Sequence, residues 1–570
     1  MKNLEIAKIL YEIAEMLEML GIAFKPRAYQ KAARSIEGMS EDIVEVYKNG
    51  KLEDIPGVGK HIAEKIVELI KTGRLKYYSD LKKKIPVKVD ELMGISGLGP
   101  KRIMLLYKKL HVRNLKDLER AAKSHKIQHV EGLGVKVEED IINAIEFSKK
   151  KTGRFLLGYI MPAAEEIKSE IKKLDGVKQV EVAGSYRRRK ETVGDIDILV
   201  TSTKPKKVMD YFIGIKDIDR VLASGLSKSM IRLKNGLEID VRVLKDEEYG
   251  SALQYFTGNK DHNIVLRNLA LKKGYTLSEY GLFKLKGKKW VAGRTEQEIY
   301  NKLGLQLMPP EMRENTGEIE AAQRKELPRV IDYNDVKGDL QMHSDWSDGV
   351  NKIEEMVLEA KKLGMKFIAI TDHVGQIGIV HPLDETRLER QFKIIDKISD
   401  KLGIRIFKGA EVDILKNGRL ALSRKMQNKL DIVLASIHSA FKMSEQEMTS
   451  RICRALEKDR VHIFAHPTGR LLQQREAYAV NFPTLFNCAR KNNVFLEINC
   501  HPERMDLNGE LIKAAKNVGC RFSLGTDSHN KEGLKYLQLG VSLARRGWLE
   551  AKDVLNTYSV DRIEKVLKGK

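Results

Sequence analysis

The sequence predicts a multidomain protein in which an all-α N-terminal region, an α/β centre and a C-terminal β/α barrel follow one another. Three observations predict this order. Turns of the form Gly-x-Gly precede amphipathic helical segments within residues 1–150. Two strands with alternating apolar and polar residues, 195–200 and 237–243, carry acidic side chains in the centre. After residue 335, short apolar strands repeatedly end in an acid or a histidine and helical segments separate them, which is typical of a β/α barrel.

The size and the charge of the chain limit its function classes. The 570 residues are enough for several domains, and 42% hydrophobic residues can form real cores. The formal net charge of +23 favours a polyanionic partner such as nucleic acid. No apolar run approaches the roughly 18 residues that cross a membrane. We therefore expect no membrane partner.

The first twenty residues and the cysteines indicate the cellular compartment of the protein. Residues 1–20 alternate apolar and acidic positions as an amphipathic helix does, unlike a signal or transit peptide. The four cysteines are widely spaced in the last third of the chain. This spacing favours reduced thiols over a disulfide framework or a zinc site of the CxxC kind. Together these features predict a cytoplasmic protein.

Glycine turns in the N-terminal region each open an amphipathic helix. Their backbone N–H groups lie at the positive end of the helix dipole, where phosphate oxygens bind. This is the helix-hairpin-helix pattern, which holds the DNA backbone without reading its sequence. Two good copies followed by basic helices favour DNA binding over plain tight loops, and residues 130–135 form a weaker third copy. The candidate DNA-binding residues of the two good copies are Gly57, Gly59, Gly97, Gly99 and Lys101.

The acidic strand of the centre follows a Gly-Ser turn at residues 184–185. Asp195 and Asp197 are two residues apart on this strand, so their carboxylates project from the same face. Two such carboxylates repel each other unless cations lie between them, and hard divalent ions with oxygen ligands meet that need. Asp240 on the second strand is a candidate third carboxylate. The pattern predicts a two-metal nucleotidyl-transfer site, whereas solvated acids on an edge strand are the alternative.

Two nearby segments extend this prediction to a nucleotide. The basic run 187–190 lies between the Gly-Ser turn and the acids, and its charge suits a triphosphate. The segment 255–259 combines an aromatic pair with a glycine and could form the wall of a sugar pocket.

The last portion of the chain is rich in histidine. Predicted strands there lead to acids and imidazoles, and the carboxyl ends of barrel strands meet at one mouth. We therefore expect these side chains to converge, as ligands of metal ions do. Eight of the thirteen histidines fall in this portion: His343, His373, His381, His438, His462, His466, His501 and His529.

With these residues assembled, the chain resembles the bacterial and archaeal family X DNA polymerases that carry a C-terminal polymerase-and-histidinol-phosphatase (PHP) domain. The resemblance covers essentially the whole chain. It implies N-terminal all-α helix-hairpin-helix domains, an α/β nucleotidyltransferase palm with a thumb, and a distorted, seven-stranded, TIM-like PHP barrel. The expected domains are a lyase-like helical domain at 1–80, a DNA-binding subdomain at 81–150, the palm at 151–250, the thumb at 251–316, a linker at 317–334 and the PHP domain at 335–570.

The resemblance implies roles for residues of the polymerase half. Asp195, Asp197 and Asp240 would be catalytic and would hold Mg²⁺ or Mn²⁺. Arg267 would contact the template, and Lys65 would be the Schiff-base nucleophile of a deoxyribose-phosphate lyase, with a plain solvated lysine as the alternative. The implied nucleotide-binding residues are Gly184, Ser185, Arg188, Gly194, Tyr255, Phe256, Gly258 and Asn263.

In the tail the resemblance implies a multinuclear site that holds Mn²⁺, Zn²⁺ or both. Three positions depart from the family pattern. Gln341 stands where the first PHP motif has a histidine, Glu238 stands beside the third aspartate where eukaryotic members have an arginine, and His61 replaces a phosphate-binding lysine. The implied metal ligands are His343, Asp348, His373, Glu411, His438, His466, Asp527 and His529.

The function that follows is a gap-filling DNA polymerase of DNA repair whose tail acts as a 3′→5′ exonuclease, 3′-phosphodiesterase or abasic-site endonuclease. Its partners would be gapped or nicked duplex DNA, bound independently of sequence, and dNTPs, and the protein would be a monomer. Two alternatives remain. One is a nucleotidyltransferase acting on RNA or small molecules, and the other is a DNA-binding scaffold with a histidinol-phosphatase-like tail.

Overall fold

The computed structural model describes residues 3–569 except 40, 94, 96–97, 136, 139–140, 143–144, 146–152 and 376–380. Within this part of the chain, helices occupy the N-terminal region, three separate sheets follow up to residue 292, and a parallel sheet fills the tail. None of the described helices is both long enough and apolar enough to span a membrane.

The N-terminal helices pack around one apolar core. The helix α4 shows why they form: Ile62, Ile66 and Leu69 lie on one face at helical spacing and are buried, and Gly73 ends the helix in the left-handed conformation. The helices are α1 (Asn3–Met19), α2 (Lys25–Gly38), α3 (Ile43–Lys48), α4 (Lys60–Thr72), α5 (Lys76–Lys84), α6 (Val89–Met93), α7 (Pro100–Leu110) and α8 (Leu115–Lys123).

The palm is a five-stranded sheet with strand order β2-β4-β7-β6-β5. The central pair β4 and β7 is parallel, and the other neighbours are antiparallel. Ile196, Ile198 and Val200 of β4 are buried against α9 and α11, which cover one face. The elements are β1 (Phe155–Leu156), α9 (Leu157–Lys173), β2 (Val177–Val182), α10 (Gly184–Arg187), β3 (Thr192–Val193), β4 (Asp195–Ser202), α11 (Pro205–Ile213), β5 (Ile218–Ala223), β6 (Lys228–Leu233) and β7 (Glu238–Leu244).

The thumb combines helices with a three-stranded antiparallel sheet. The segment predicted as a linker contains a helix, α15, whose Ile319 and Ala322 pack into the thumb core. The elements are α12 (Tyr249–Thr257), α13 (Lys260–Lys272), β8 (Tyr275–Ser278), β9 (Gly281–Lys284), β10 (Trp290–Ala292), α14 (Glu296–Lys302) and α15 (Glu318–Arg324).

The tail is a parallel sheet that curls into a nearly closed barrel. Seven strands follow in the order β11-β12-β14-β15-β16-β17-β18, and β13 pairs with β14 beside this path. A parallel bridge between Met342 and Ser528 joins the two ends of the sheet. The strands are β11 (Gly338–Asp339), β12 (Phe367–Ile370), β13 (His373–Val374), β14 (Arg405–Asp413), β15 (Ile432–Ser436), β16 (Ile463–Phe464), β17 (Phe495–Asn499) and β18 (Phe522–Gly525).

Helices cover the outside of this barrel. They are α16 (Ile353–Lys362), α17 (Glu385–Leu402), α18 (Arg424–Gln427), α19 (Glu445–Lys458), α20 (Phe482–Lys491), α21 (Gly509–Val518), α22 (Leu537–Arg546) and α23 (Val560–Lys568). The predicted fold class, with helical N-terminal domains, palm and thumb, and a β/α barrel, is confirmed.

A buried ion pair joins the palm to the barrel. Arg546, at the end of α22, lies 3.2 Å from a carboxylate oxygen of Glu191, and the other oxygen lies 3.7 Å from Arg470. Arg546 also donates to the backbone carbonyl of Arg188 in the turn that follows α10. The side chain of Arg546 is only 6% exposed, so these contacts are shielded from water.

Replacing this arginine should loosen the junction. We expect Arg546→Ala to lower the midpoint of thermal unfolding by about 5 °C, because a buried carboxylate loses its nearest cation. Differential scanning fluorimetry measures the shift. Lys552→Ala is the control, since Lys552 pairs with Glu550 at the surface and should change the midpoint by about 1 °C or less. Equal shifts for the two variants would contradict a structural role for the junction.

Candidate active sites

The parallel pairing of β4 with β7 brings the palm carboxylates together. Asp197 lies directly opposite Asp240 in the register, and Asp195 lies opposite Glu238. Burial, together with the neighbouring carboxylates of Asp195 and Asp240, raises the pKa of Asp197 to about 7. The like charges that the sequence predicted on one face are therefore close enough to interact.

Two cations that the sequence did not single out face the third carboxylate. Lys228 Nζ lies 3.0 Å from Asp240 Oδ2, and Arg242 Nη2 lies 3.4 Å from the same oxygen. The buried Oδ1 of Asp240 has no hydrogen-bond partner among the described residues. An unsatisfied buried carboxylate oxygen beside two more aspartates fits a hard divalent cation. Antiparallel pairing of β6 with β7 is what places Lys228 here, and strand order was not predictable from spacing alone.

Glu238, which stands beside the third aspartate where eukaryotic members of the family have an arginine, pairs with Arg232 and not with the palm acids. Its carboxylate lies 2.6 Å from Arg232 Nη2, and both side chains are about two-fifths exposed. The charge of Glu238 is thus balanced within its own hairpin.

The Gly-Ser turn packs directly against the acidic strand. Gly184 has φ of +65°, and a Cβ at this position would lie 3.1 Å from Asp197 Oδ2. The positive φ favours glycine, and the close approach means that a Cβ would press on the Asp197 carboxylate. Ser185 follows in α10, and Gly194 lies immediately before β4. These predicted nucleotide-binding residues therefore line the same end of the sheet as the acids.

The basic residues of this turn are tied to the thumb. Arg187 forms two hydrogen bonds with the carboxylate of Glu296, at 2.9 and 2.7 Å. Arg188 Nε donates to Glu314 at 2.9 Å, and its guanidinium also donates to the carbonyl of Thr257. Burial opposes ionisation of Glu296, but Arg313 and Arg187 lower its pKa to about 2. The turn is thus fixed in position by charges on the thumb.

The aromatic pair of the thumb lies close to this turn. The rings of Tyr255 and Phe256 meet edge to face with centroids 5.2 Å apart, and Arg242 lies over Phe256 at 4.5 Å. Gly258 is buried, and a Cβ there would lie 3.3 Å from Arg188 Nη1.

Two polar residues of α13 belong to the predicted contacts. Asn263 Nδ2 donates to the carbonyl of Tyr255 at 2.7 Å, so it holds the aromatic pair in place. Arg267 lies one turn later on the same helix and is exposed.

The predicted DNA-binding turns begin helices, as expected. Gly59 precedes α4 and Gly99 precedes α7, and both glycines and Lys101 are exposed. Gly57 has φ of +84°, and a Cβ there would lie 2.7 Å from Lys31 Cγ. The remaining predicted residue, Gly97, lies outside the described residues.

Lys65 lies on α4 beside an aromatic surface. Its Nζ donates to the carbonyl of His61 at 2.9 Å and lies 4.8 Å from the centre of the Tyr77 ring. Tyr29 stacks on Tyr77 with centroids 6.3 Å apart. Lys65 is half-buried, and it is therefore neither a core residue nor a fully solvated one.

The tail gathers its predicted ligands at the mouth of the barrel. Seven of the eight fall into three groups whose ligand atoms lie within 4.8 Å of one another. The eighth, His466, is buried, and its Nε2 lies 2.9 Å from Glu411 Oε1. The groups are His343, Asp348, His373 and His529; His373, Glu411 and His438; and His343, Glu411 and Asp527.

Glu411 is the centre of this cluster. Its two oxygens lie between 2.9 and 3.5 Å from nitrogens of four imidazoles. Burial would raise the pKa of Glu411, but His373, His438 and the hydrogen bond from His343 lower it well below its ordinary value. The carboxylate therefore stays ionised, as a metal ligand must be.

The pKa values of two imidazoles in the cluster shift in opposite directions. Burial lowers the pKa of His373 to about 3. Burial acts the same way on His438, but Glu411 and Asp413 raise its pKa to about 9. A bound metal ion would take the place of the proton on such a ring, and this mixed set of imidazole and carboxylate donors fits Zn²⁺ or Mn²⁺.

Residues around the ligands form a polar shell that the sequence did not reveal. Asp413 Oδ1 lies 2.7 Å from His438 Nδ1, and Arg504 Nε lies 3.2 Å from Asp527 Oδ2. Asn499 Nδ2 donates to Asp527 Oδ2 at 3.2 Å. Asp413 follows Glu411 by two residues on β14, so the two-residue period of the strand could have indicated it. The other two depend on where β17 and the loop after it lie.

Gln341 lies beside the central carboxylate of the cluster. Its Nε2 donates to Glu411 Oε2 at 3.1 Å, so the side chain acts as a hydrogen-bond donor to the central carboxylate. Compared with the family pattern, which has a histidine at this position, the mouth of the barrel therefore contains one imidazole fewer.

Comparisons with known proteins agree with this division of the chain. Family models match the helix-hairpin-helix domain at residues 1–75, the SAM-like helix-hairpin-helix tandem at 89–146, the DNA polymerase beta palm at 160–246, the DNA polymerase beta thumb at 252–314 and the PHP domain at 339–501. The chain is 36% identical over 572 aligned residues to DNA polymerase/3′-5′ exonuclease PolX of Bacillus subtilis (strain 168), and the match covers 100% of both chains. The chain belongs to the family X DNA polymerases with a C-terminal PHP domain.

Two more distant similarities concern parts of this family X chain. A probable phosphatase of Thermoanaerobacter sp. (strain X514) is 28% identical over 230 residues, which is 38% of this chain and 88% of that protein. A ternary primer/template complex of Leishmania infantum polymerase beta is 22% identical, covers 40% of this chain and 97% of its own, and has a TM-score of 0.26.

The raised pKa of Asp197 predicts a pH dependence of metal use in the palm. A carboxyl group with a pKa of about 7 is increasingly protonated below that pH, and a proton competes with a cation for the ligand. At subsaturating Mg²⁺, primer extension should therefore fall by about tenfold per pH unit below pH 7. Arg242 lowers this pKa, so Arg242→Gln should move the fall to higher pH.

The control for this measurement is Arg232→Gln on the neighbouring strand. Arg232 pairs with Glu238, so its removal should leave the pH profile of primer extension unchanged. An unmoved profile in Arg242→Gln would contradict the assignment of the acidic limb to Asp197.

Proposed function

We propose that this chain is a DNA polymerase of DNA repair that fills short gaps and trims blocked or mispaired 3′ ends. The observation that carries the synthetic half is the register of β4 and β7, which sets Asp197 opposite Asp240 beside Asp195. The trimming half rests on the ligand groups around Glu411. Its reaction class is phosphodiester hydrolysis, as a 3′→5′ exonuclease, 3′-phosphodiesterase or abasic-site endonuclease.

The partners follow from charge and from the hairpin turns. The net charge of +23 and the exposed turns at Gly59 and Gly99 favour gapped or nicked duplex DNA, held by its backbone without sequence preference. The nucleotide substrates would be dNTPs. The protein would work as a cytoplasmic monomer, with Mg²⁺ or Mn²⁺ in the palm and Mn²⁺, Zn²⁺ or both in the tail.

In the palm, Asp195, Asp197 and Asp240 would hold two divalent cations. When bound, these ions supply positive charge at the reacting phosphate and increase the acidity of the primer hydroxyl. The chain itself binds and orients the substrates. Ser185 and Arg188 would contact the outer phosphates, while Tyr255 and Phe256 would pack against the sugar, so that the primer 3′-oxygen bonds to the α-phosphorus as pyrophosphate leaves.

In the tail, the eight ligand residues would hold two or three ions. When bound, they favour ionisation of water and neutralise charge on the phosphate. The surrounding side chains keep the ligands in place: Asp413 orients the ring of His438, and Arg504 and Asn499 fix the carboxylate of Asp527.

Two single substitutions separate the activities. Asp240→Ala should lower primer extension on a one-nucleotide gap by about 10³-fold or more, and His373→Ala should lower 3′-end trimming similarly. Each variant should keep the other activity, because the clusters lie in different domains. Assays on gapped DNA with a 5′-phosphate, in Mg²⁺, Mn²⁺ and Zn²⁺ and with dNTPs or rNTPs, measure both reactions.

Matched controls are Asp246→Ala in the palm and His381→Ala in the tail. Both residues are exposed and lie outside the two clusters. Normal extension by Asp240→Ala, or normal trimming by His373→Ala, would refute the division of labour between the two sites.

Lys65 belongs to the same proposal as a lyase nucleophile. The carbonyl of His61 and the ring of Tyr77 hold its amine at a half-buried position near the first hairpin turn. The amine would attack C1′ of an incised abasic site and expel water, which gives an imine that borohydride reduces to a stable adduct.

We expect Lys65→Ala to lose the adduct that borohydride traps on incised abasic DNA, because it removes the amine that would form the imine. Denaturing electrophoresis measures the adduct. Lys71→Ala on the same helix is the control and should trap normally. Undiminished trapping by Lys65→Ala would assign the reaction elsewhere or exclude it.

A further inference from the structure

The N-terminal helical region touches the mouth of the barrel through α2. Arg34 Nη1 donates to the backbone carbonyl of Asp348 at 2.9 Å and lies 3.9 Å from the carboxylate oxygen Oδ2 of the same residue. Asp348 belongs to the ligand group that contains His343, His373 and His529. A residue 314 positions earlier in the chain therefore lies at the edge of the metal cluster.

A second polar contact of α2 with the tail belongs to this docking. Arg27, two turns before Arg34 on α2, has its Nη1 3.1 Å from His381 Nε2 of the tail. The first hairpin turn packs against the same helix, since a Cβ on Gly57 would lie 2.7 Å from Lys31 Cγ, and Lys31 lies on the helix face that carries Arg27 and Arg34. The hairpin that would hold a DNA backbone and the mouth of the barrel thus both contact α2.

The environment of Arg34 differs from that of a structural arginine. Its side chain is 41% exposed, and the 3.9 Å approach to the Asp348 carboxylate is too long for a hydrogen bond. A guanidinium has five N–H donors in a planar fork, and the carbonyl of Asp348 takes one of them. The fork is therefore anchored by its backbone bond next to the ligands while its charge remains accessible.

Charge determines what such a group can bind. The oxygens of Asp348 already face His529 Nε2 at 3.2 Å and His373 Nε2 at 3.8 Å. A phosphate in the mouth would present anionic oxygens both to the ligand cluster and to the guanidinium. Arginine is the side chain best suited to phosphate, since its fork matches two oxygens at once.

We propose that Arg34 completes the tail site by binding a non-bridging oxygen of the scissile phosphate, so that the N-terminal domain supplies a substrate-contacting residue to the phosphoesterase. This inference rests on the proposed hydrolytic function of the tail. In that reaction water adds to phosphorus, the bond from phosphorus to the 3′-oxygen breaks, and a proton of the water ends on that oxygen. Negative charge grows on the non-bridging oxygens, where an arginine stabilises it.

The first test is kinetic and uses the full chain. Arg34→Ala should lower kcat/KM for 3′-end trimming by about 10- to 100-fold, and Arg34→Lys should recover part of the loss. Primer extension by the same preparations should be unchanged, because Arg34 has no contact with the palm carboxylates. Arg27→Ala removes another contact of α2 with the tail and should trim normally.

The second test needs no turnover. In buffer with EDTA, a single-stranded oligonucleotide should protect Arg34 of the wild-type protein, but not Arg27, from phenylglyoxal, with modification mapped by mass spectrometry. An equal loss of trimming in Arg27→Ala and Arg34→Ala would reduce Arg34 to a docking contact and overturn the proposal, as would normal trimming by Arg34→Ala or absence of protection. If the wild-type protein and His373→Ala both fail to trim, the proposed phosphoesterase function itself is wrong.

Discussion

The arrangement of the two candidate sites depends on one shielded carboxylate at the junction of palm and barrel. Burial would raise the pKa of Glu191, but Arg546, Lys190 and Arg470 lower it, so the group remains charged between its partners. Arg546 also binds the carbonyl of Arg188. The turn that carries the predicted phosphate-binding residues is consequently held by the barrel on one side and by Glu296 of the thumb on the other. The tail is therefore part of the frame of the polymerase site and more than an appended domain.

The two sites solve the problem of clustered acids in different ways. In the palm, three aspartates gather on two strands, and Lys228 and Arg242 offset their repulsion only in part. Burial together with this repulsion therefore raises the pKa of Asp197. In the tail, Glu411 is surrounded by imidazoles and its pKa is lowered well below the usual range. The palm thus favours hard oxygen-seeking cations, and the tail presents mixed nitrogen and oxygen donors that suit softer ones.

Many of the site residues could be predicted because the side-chain period of a strand, and the position of ligands at strand ends, can be read from the local sequence. The two-residue spacing of Asp195 and Asp197, and the position of ligands after β12, β15 and β16, follow from the sequence itself. Contacts that depend on strand order or domain docking could not be predicted in this way. Lys228 reaches Asp240 only through the pairing of β6 with β7, and Arg34 reaches Asp348 only because α2 rests on the barrel. No pattern in the sequence indicated the role of Glu296, because that role depends on two arginines from other segments, Arg187 and Arg313.

Closure of the barrel has a consequence for how the chain folds during its synthesis. His343 follows the first strand and meets Asp527 after the last one, 184 residues later, whereas the palm acids all lie within residues 195–240. A ribosome releases the chain from its N-terminus, and domains generally fold as they emerge. A nascent chain therefore possesses a complete palm sheet while the edge of β11 still awaits its partner. Arg546, the barrel residue that holds the turn beside the palm acids, emerges later still, so both sites reach their final form only when the tail is complete.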